Sequence, residues 1–300
     1  MSTQAHNPLL GIFWMLVTGF CFVAVTALVK VMGTRIPPAE AAFLRYVLGL
    51  VFLLPMLPSL RAAHVTRRQW SLFGARGFFH AIGVMLWFYA MTRIPIAEVT
   101  AMNYLAPVYV SIGAALFLGE RLAARRIAAV VVALIGVAVI LRPGFREVAP
   151  GHIAMIFCAI VFAGSYLLAK ILADEAKPAV VVGMLSIFVP IGLAPFALAD
   201  WVTPSWGELG LLFIVACFAT AGHYTMTMAF AAAPVTVTQP VTFLQLVWAV
   251  LLGALVFAEP VDGWVIFGGG LILGAVTYIT WREAVLKRRN ITPPSPATKL

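Results

Sequence analysis

The stretch IPIAEVTAMNYLAPVYVSIGAALFLGERLAARRIAAVVVALIGVAVILRPG, from Ile94 to Gly144, decides the fold. It contains two apolar runs that are separated by a short charged turn, Glu120 to Arg126. Each run is about 20 residues long, which is the length that an α-helix needs to cross a hydrocarbon layer of about 30 Å. The stretch therefore predicts two consecutive membrane-spanning helices.

The composition of the whole chain excludes a soluble domain. Of the 300 residues, 63% are hydrophobic and 10% are charged, whereas a soluble domain has about half and about a quarter. The net charge of +9 comes from basic residues in the short turns, a pattern that reports membrane topology rather than nucleic-acid binding. Three cysteines lie inside apolar runs without paired or metal-ligand spacing, so we predict no disulfide, no metal site and no cofactor.

We predict ten spans, all helical because backbone groups in lipid must satisfy their own hydrogen bonds. Their approximate limits are 9–31, 38–58, 70–91, 97–118, 124–142, 152–173, 178–199, 207–230, 235–257 and 262–281. Lys and Arg concentrate in the connections on one side, which favours a plasma-membrane topology with both termini in the cytoplasm. The fold class is thus an all-α integral membrane protein, and residues 287–300 are expected to form a disordered cytoplasmic tail.

The second half of the chain is a weaker copy of the first. At an offset of 139, without a gap, the matching pairs include Pro95 with Pro234, Leu105 with Leu244 and Glu120 with Glu259. Near the start of each half the offset is 140, and Phe22 matches Phe162. Because each half, 1–146 and 147–286, holds five spans, the second must enter the membrane upside down relative to the first. Inverted repeats of this kind are typical of secondary transporters.

The order of several short motifs resembles the drug/metabolite transporter superfamily, EamA type. These motifs are an arginine in the second span, Arg45, a proline in the fourth span, Pro107, and the sequences Phe117-Leu118-Gly119-Glu120 and Leu134-Ile135-Gly136-Val137. The resemblance covers about residues 8 to 283 and implies two inverted five-helix repeats that work by alternating access. It also implies a structural role for Arg45. Within the superfamily, the chain is similar to bacterial amino-acid exporters, including those for aromatic amino acids.

Polar side chains at membrane depth are costly, so they are candidate substrate contacts. In the third span, Arg76, His80 and Trp87 share one helical face. In the eighth span the candidates are His223 and Tyr224, and the offset places His223 one turn from His80. Two histidines that face one cavity could also bind a coupling proton. The alternatives are an Arg76 that reaches the membrane surface by snorkelling and neutral histidines that bond to neighbouring helices.

Further candidates lie in the fourth, sixth and ninth spans. Asn103 and Tyr104 come just before Pro107, which removes the helical hydrogen bond of the Asn103 carbonyl and leaves that carbonyl available to a polar ligand. The alternative is that Pro107 makes a simple packing kink. The others are Ser165, Tyr166, Gln239 and Gln245. Glu259 is interpreted as a turn residue and Glu40 as lying near the outer surface. No other carboxylate is predicted to lie deep, so the sequence does not support a proton relay through carboxylates.

We therefore expect a secondary transporter that exports small metabolites, above all neutral or aromatic amino acids, through a central cavity between the repeats. Another substrate class, such as nucleosides, polyamines, sugars or drugs, is an alternative. A membrane-embedded enzyme is disfavoured, because the sequence has no clustered acid–base or metal set and no nucleophile motif. A non-transporting assembly factor is disfavoured by the inverted duplication. The expected partners are a small-molecule substrate and the lipid bilayer, with no nucleic acid.

Overall fold

The computed structural model describes residues 7–117, 124–173, 175–233, 235–238 and 240–291. This part of the chain is helical, with one isolated β-bridge between Pro143 and Arg146. Nine of its helices are long and apolar enough to span a membrane, and a shorter apolar helix, Leu244–Phe257, supplies the tenth predicted span. The protein is an all-α integral membrane protein, as the sequence predicts.

Most of the observed spans follow the predicted limits closely, but the ninth begins at Phe243 rather than at residue 235. They are α1 Pro8–Met32, α2 Pro38–Arg61, α3 Arg67–Met91, α4 Ile96–Phe117, α5 Ala124–Leu141, α6 Pro150–Ala173, α7 Pro178–Ala199, α8 Trp206–Ala232, α9 Phe243–Phe257 and α10 Gly263–Ile291. The last helix extends five residues into the segment 287–300 that is predicted to be disordered, and 292–300 lie outside the described residues.

Equivalent helices of the two halves begin with equivalent caps. Thr66 and Gln69 bond to each other's backbone N–H groups and so start α3 with a capping box. Ser205 and Glu208, which lie 139 residues later, do the same for α8. A capping box satisfies two of the donors that a helix start leaves unpaired. The repeat is therefore visible in the hydrogen bonds that start the helices.

Helix packing is unchanged when the two halves are exchanged. Helix α1 packs along α8, and its counterpart α6 packs along α3. Three further pairs, α2 with α7, α4 with α9 and α5 with α10, each join a helix to its own counterpart. This pattern is that of two inverted repeats about a pseudo-two-fold axis.

Helices α5 and α10 approach closely where glycines meet. A Cβ on Gly136 would lie 2.6 Å from the carbonyl oxygen of Gly268, and a Cβ on Gly268 would lie 2.5 Å from the carbonyl oxygen of Gly136. No larger side chain fits at either position without moving backbone. Small residues at such crossings are how membrane helices gain packing contacts in lipid.

Helix α4 is interrupted, and the segment that leads into α9 is interrupted at the equivalent point. The α4 span breaks at Tyr104, between the helical segments Ile96–Asn103 and Leu105–Phe117. A proline ring clashes with the carbonyl four residues earlier, and Pro107 accounts for the break in this way. Before α9, a 3-10 turn covers Pro240–Thr242, and Thr242 is the counterpart of Asn103. The hydroxyl of Tyr104 donates to the carbonyl of Thr242 at 2.8 Å, so the two interruptions contact each other.

Candidate functional site

The interrupted helices border a cavity of about 280 Å³ between the two halves. Its lining comes from α1, α2, α3, α4, α6, α8 and α9, so both repeats contribute. Interrupted helices that meet at mid-membrane between inverted repeats are the usual setting of a transporter's substrate site. We call this space the central cavity.

Aromatic rings form much of the wall of the central cavity. Phe22, Tyr46, Trp87 and Phe162 all line it. The ring of Tyr166 stacks on that of Phe162 with the centroids 6.0 Å apart. A wall of this kind offers large apolar faces to a ligand ring.

Two histidines stand beside two of these rings. The ring centroid of His80 lies 4.9 Å from that of Phe162, and that of His223 lies 5.2 Å from that of Phe22. His80 is buried, and its Nδ1 is 3.3 Å from the hydroxyl of Ser165. Both histidines line the central cavity, so the structure brings them together as the sequence predicts.

Arg45 places a buried positive charge at the central cavity. Its guanidinium lies over the ring of Tyr46, 4.3 Å from the centroid, and the residue is 7% exposed. None of the ion pairs among the described residues involves Arg45. A buried cation without an acidic neighbour is costly, and a ligand oxygen would offset part of that cost.

Other polar groups around the cavity also have free bonding capacity. The indole N–H of Trp87 is buried and lacks a hydrogen-bond partner among the described residues. The side chains of Asn103 and Gln245 line the same space, next to Tyr104 and Thr242. Both amides can donate and accept. The central cavity therefore presents one cation, an indole donor and two amides against aromatic walls.

The structure separates the predicted site residues into two groups. Those that line the central cavity are His80, Trp87, Asn103, Tyr104, Tyr166, His223 and Gln245. Three others do not: Arg76 donates to the carbonyl of Val181 at 2.8 Å, Ser165 is buried behind His80, and Tyr224 is 64% exposed. Gln239 lies outside the described residues.

Sequence reasoning missed several lining residues. Phe22 and Phe162 match at the offset of 140, and that match between large side chains was a usable signal. Arg45 was assigned a structural role, yet it reaches the central cavity. The Arg45 side chain points from α2 toward the cavity. A single sequence whose span has no amphipathic pattern does not indicate that direction.

A group of ion pairs joins the two halves at the end of the bundle away from the N-terminus. Lys30 pairs with Glu259, and the other oxygen of Glu259 accepts from the backbone N–H of Ile96 at 2.9 Å. Further links between halves join Arg142 to Asp262 and Glu98 to His152. We call this the bridged end, and the opposite end, where α1 begins, the terminal end.

Two carboxylates at the bridged end are more deeply buried than the sequence suggests. Glu98, which sequence reasoning did not single out, is 3% exposed. Glu40 is fully buried and accepts from the backbone N–H of Val202 at 2.8 Å. Glu98 is thus buried by protein, at the start of a span, although the sequence did not single it out. The signal was weak because Glu98 opens its helix, where an acidic residue is common.

Comparison with known proteins identifies the chain's family. The sequence profile of the EamA-like transporter family matches twice, over residues 9–142 and 149–281. The chain belongs to this family. The resemblance to the drug/metabolite transporter superfamily is thereby confirmed, and so is the expectation of a transporter rather than an enzyme.

Relatives of known function cover nearly the whole chain. It is 30% identical to a riboflavin transporter of Vibrio cholerae, over 95% of this chain and 97% of the other. It is 26% identical to an S-adenosylmethionine uptake transporter of Rickettsia prowazekii, over 94% and 96%. It is 25% identical to a pseudopaline exporter of Pseudomonas aeruginosa, over 88% and 94%. These names support a bacterial membrane transporter of small metabolites but not the predicted amino-acid substrates.

A solved crystal structure has the same fold. It matches with a TM-score of 0.58 and 20% sequence identity, over 93% of this chain and 97% of the other. At this identity the likeness concerns the fold alone.

Proposed function

We propose that this transporter carries a small metabolite that joins an aromatic or heteroaromatic ring to an oxygen-rich polar group, and that riboflavin is its first candidate substrate. The observation that carries the proposal is the buried guanidinium of Arg45 on an aromatic-walled cavity. The similarity to riboflavin transporters supports it.

The aromatic wall selects for the ring. Rings stacked or packed edge-to-face gain about 0.5–1.5 kcal/mol beyond the burial of their area. Phe22 and Phe162 stand beside the two histidines, so a flat ligand would meet rings from both repeats. The isoalloxazine ring of riboflavin is flat, and its two carbonyl oxygens accept hydrogen bonds. Arg45 and the indole N–H of Trp87 would supply the donors.

The charge of the central cavity argues against a purely cationic substrate. Arg45 is the charged residue in its lining, and the described lining contains no Asp or Glu. A polyamine would therefore bring positive charge toward a buried guanidinium, which repels it without compensation. Neutral compounds and zwitterions with a carboxylate avoid this repulsion.

Aromatic amino acids are the second candidate class. Their carboxylate would pair with Arg45 in a charge-assisted contact, and the oxygens of Asn103 and Gln245 would accept from the ammonium group. This class agrees with the amino-acid prediction from the sequence. It lacks the support from named relatives that riboflavin has.

We further propose that the described arrangement is the state in which the central cavity faces the terminal end. The ion pairs between the halves hold the bridged end together. Toward the terminal end, a second cavity of about 260 Å³ between α4, α6 and α10 shares Pro107 and Tyr166 with the central cavity. With ten spans both termini lie on one side, and the Lys and Arg distribution supports a cytoplasmic location for that side. Release of the bridged end would then expose the cavity to the outside.

Uptake by proteoliposomes tests the proposed substrate class. Labelled riboflavin, tyrosine, S-adenosylmethionine and spermidine are offered to the purified protein under exchange conditions, with empty liposomes as the control. Saturable riboflavin uptake that tyrosine or spermidine does not compete supports the first candidate. Saturable tyrosine uptake without riboflavin uptake supports the second. Uptake of spermidine alone would contradict the proposal.

A further inference from the structure

We propose that Glu98 and His152 form a proton-binding site of this carrier, and that a proton taken up there releases the two halves from each other at the bridged end. The site lies outside the central cavity. The proposal concerns energy coupling and holds whichever metabolite is carried.

The pair joins the two repeats through buried atoms. Glu98 lies in the first turn of α4, in the first repeat, and His152 lies in the first turn of α6, in the second. They are 3% and 4% exposed, and Oε2 of Glu98 contacts Nε2 of His152 directly. Arg146 donates to both oxygens of Glu98, at 2.8 and 3.0 Å. A carboxylate of the first repeat is thus held by the connection between repeats and by the second repeat.

The contact between Glu98 and His152 requires a proton. A carboxylate oxygen and a bare imidazole nitrogen both present lone pairs, so their direct contact is stable only when one proton lies between them. Nη2 of Arg146 also lies 3.0 Å from the same Nε2 of His152, and a guanidinium can only donate. Nε2 cannot donate to Glu98 and accept from Arg146 at once. Glu98 and His152 therefore share one proton, Arg146 donates to Glu98 rather than to Nε2, and the net charge of this trio of groups with that proton is zero.

A second proton has no place in this arrangement. The remaining basic atom, Nδ1 of His152, is buried and has no hydrogen-bond partner among the described residues. A proton from bulk water would form an N–H bond there and raise the net charge of the trio from zero to plus one. The new N–H at Nδ1 would be buried without an acceptor, and the single carboxylate of Glu98 would then be shared by two cations, which disfavours the bridged arrangement. Separation of α4 from α6 hydrates the imidazolium and removes this penalty.

The proton has a route to the site. A cavity of about 200 Å³ at the bridged end includes Glu98 and His152 in its lining. The charged groups that face His152 there come from three segments and are Arg93, Glu98, Arg146, Glu147, Glu259 and Asp262. Lys30 and Arg142 pair with Glu259 and Asp262, so the carboxylates around the cavity are matched by cations, and none of these groups supplies Nδ1 with an acceptor.

Protonation at this site acts on the neighbouring links between halves. Ile96, two residues before Glu98, is held by Glu259 of the second half through its backbone N–H. Glu259 also bonds to Lys30 at the end of α1. Movement of α4 away from α6 therefore strains the attachments of α1 and of the connection between α9 and α10. One proton thereby weakens a connected set of links rather than one contact.

Histidine NMR on the full chain in nanodiscs tests the site without any substrate. The chain has five histidines, and His152→Gln assigns the signal of interest in ¹⁵N-histidine-labelled protein. We expect the response of that signal to pH to differ between the wild type and Glu98→Gln, because the carboxylate of Glu98 contacts Nε2 of His152. A His152 titration that is identical in wild type and Glu98→Gln overturns the proposal.

Cysteine labelling tests whether the proton opens the bridged end. Serine replaces the three cysteines, which are Cys21, Cys158 and Cys217. Thr26→Cys then provides a probe one turn beyond Phe22 toward the bridged end, at a position that is 3% exposed. Maleimide labelling is normalised to Phe145→Cys, a position that is 92% exposed, to remove the pH dependence of the thiol itself. We expect labelling to rise as pH falls, by up to about tenfold per pH unit for one proton.

Three variants decide the outcome. His152→Gln keeps a side-chain N–H for Glu98 but cannot titrate, so its labelling should not vary with pH. Exposed His64, which lies outside the site, gives the matched control His64→Gln, which should follow the wild type. Equal pH profiles in His152→Gln and His64→Gln, or a flat wild-type profile, overturn the proposal. If His152→Gln does not fold, Glu98→Gln takes its place, and a labelling profile of Glu98→Gln that equals that of His64→Gln overturns the proposal.

Discussion

Phe22 and Phe162 are equivalent residues of the two repeats, and each packs its ring against a glycine of the other half. A Cβ on Gly83 would lie 2.6 Å from the ring of Phe162, and a Cβ on Gly222 would lie 3.3 Å from the ring of Phe22. Each half thus supplies one aromatic ring of the cavity wall and also the glycine that makes room for the ring of the other half. This exchange links the duplication in the sequence directly to the shape of the central cavity.

The first prediction concerns the aromatic walls. Phe162→Leu should weaken the binding of ring-bearing substrates by about two- to tenfold, because an aromatic pair contributes about 0.5–1.5 kcal/mol beyond its buried area. Affinity for compounds without a ring should change much less. Phe267→Leu, at a position 57% exposed on α10, is the matched control and should leave both affinities unchanged. Equilibrium binding to the purified variants measures the effect.

The second prediction separates two arginines. Arg45→Gln should reduce substrate affinity about ten- to a hundredfold, because a hydrogen bond from a charged group contributes about 1.5–3 kcal/mol. Arg76→Gln should reduce thermal stability and leave affinity within about threefold, since its guanidinium bonds to the backbone of Val181 and not to the cavity. Binding and melting curves on both variants provide the measurement. Loss of affinity in Arg76→Gln with normal affinity in Arg45→Gln would reverse the assignment.

The fold was predictable because its signals are long. Each apolar run, and the repeat at an offset of 139 residues, rests on many positions of the sequence. The spans and the inverted repeat could therefore be predicted. The central cavity was partly predictable, because polar groups such as His80 and His223 are costly in lipid and must turn inward.

The rest of the site depended on side-chain direction. Arg76 and Arg45 both lie within apolar spans, and sequence alone favoured Arg76 for the substrate. The structure instead directs Arg76 to the carbonyl of Val181 and Arg45 to the central cavity. Glu98 was missed for a similar reason, because its partners Arg146 and His152 are about 50 residues away in sequence and come close only in the fold.

The third prediction concerns the crossing of α5 and α10. Gly136→Ala should destabilise the protein by about 1–3 kcal/mol, the usual range for an overpacked contact. The added Cβ would lie 2.6 Å from the carbonyl oxygen of Gly268, which is backbone and cannot rotate away. Gly274→Ala in α10 is the control, because no heavy atom lies within 4 Å of its added Cβ. Melting temperatures in the same detergent should fall for Gly136→Ala alone.

The fourth prediction concerns the links at the bridged end. Glu259→Ala breaks the ion pair with Lys30, which keeps the carbonyl of Ile94 as an acceptor, and leaves the buried N–H of Ile96 without one. An unpaired buried donor costs about 1–3 kcal/mol. We therefore expect labelling of Thr26→Cys to increase about tenfold or more at neutral pH. Asp200→Asn, at an exposed position, is the control and should leave labelling unchanged. Equal labelling in both variants would mean that Glu259 does not hold the bridged end closed.

Riboflavin binding measured by fluorescence tests the central claim most directly, because stacking on aromatic side chains quenches flavin emission. We predict saturable quenching by the wild-type protein in detergent, with an affinity at least about tenfold lower for Arg45→Gln and unchanged for Phe267→Leu. Spermidine should not compete. Quenching that is unaffected by Arg45→Gln and Phe162→Leu would show that the ring binds elsewhere and would contradict the assignment of the central cavity as the substrate site.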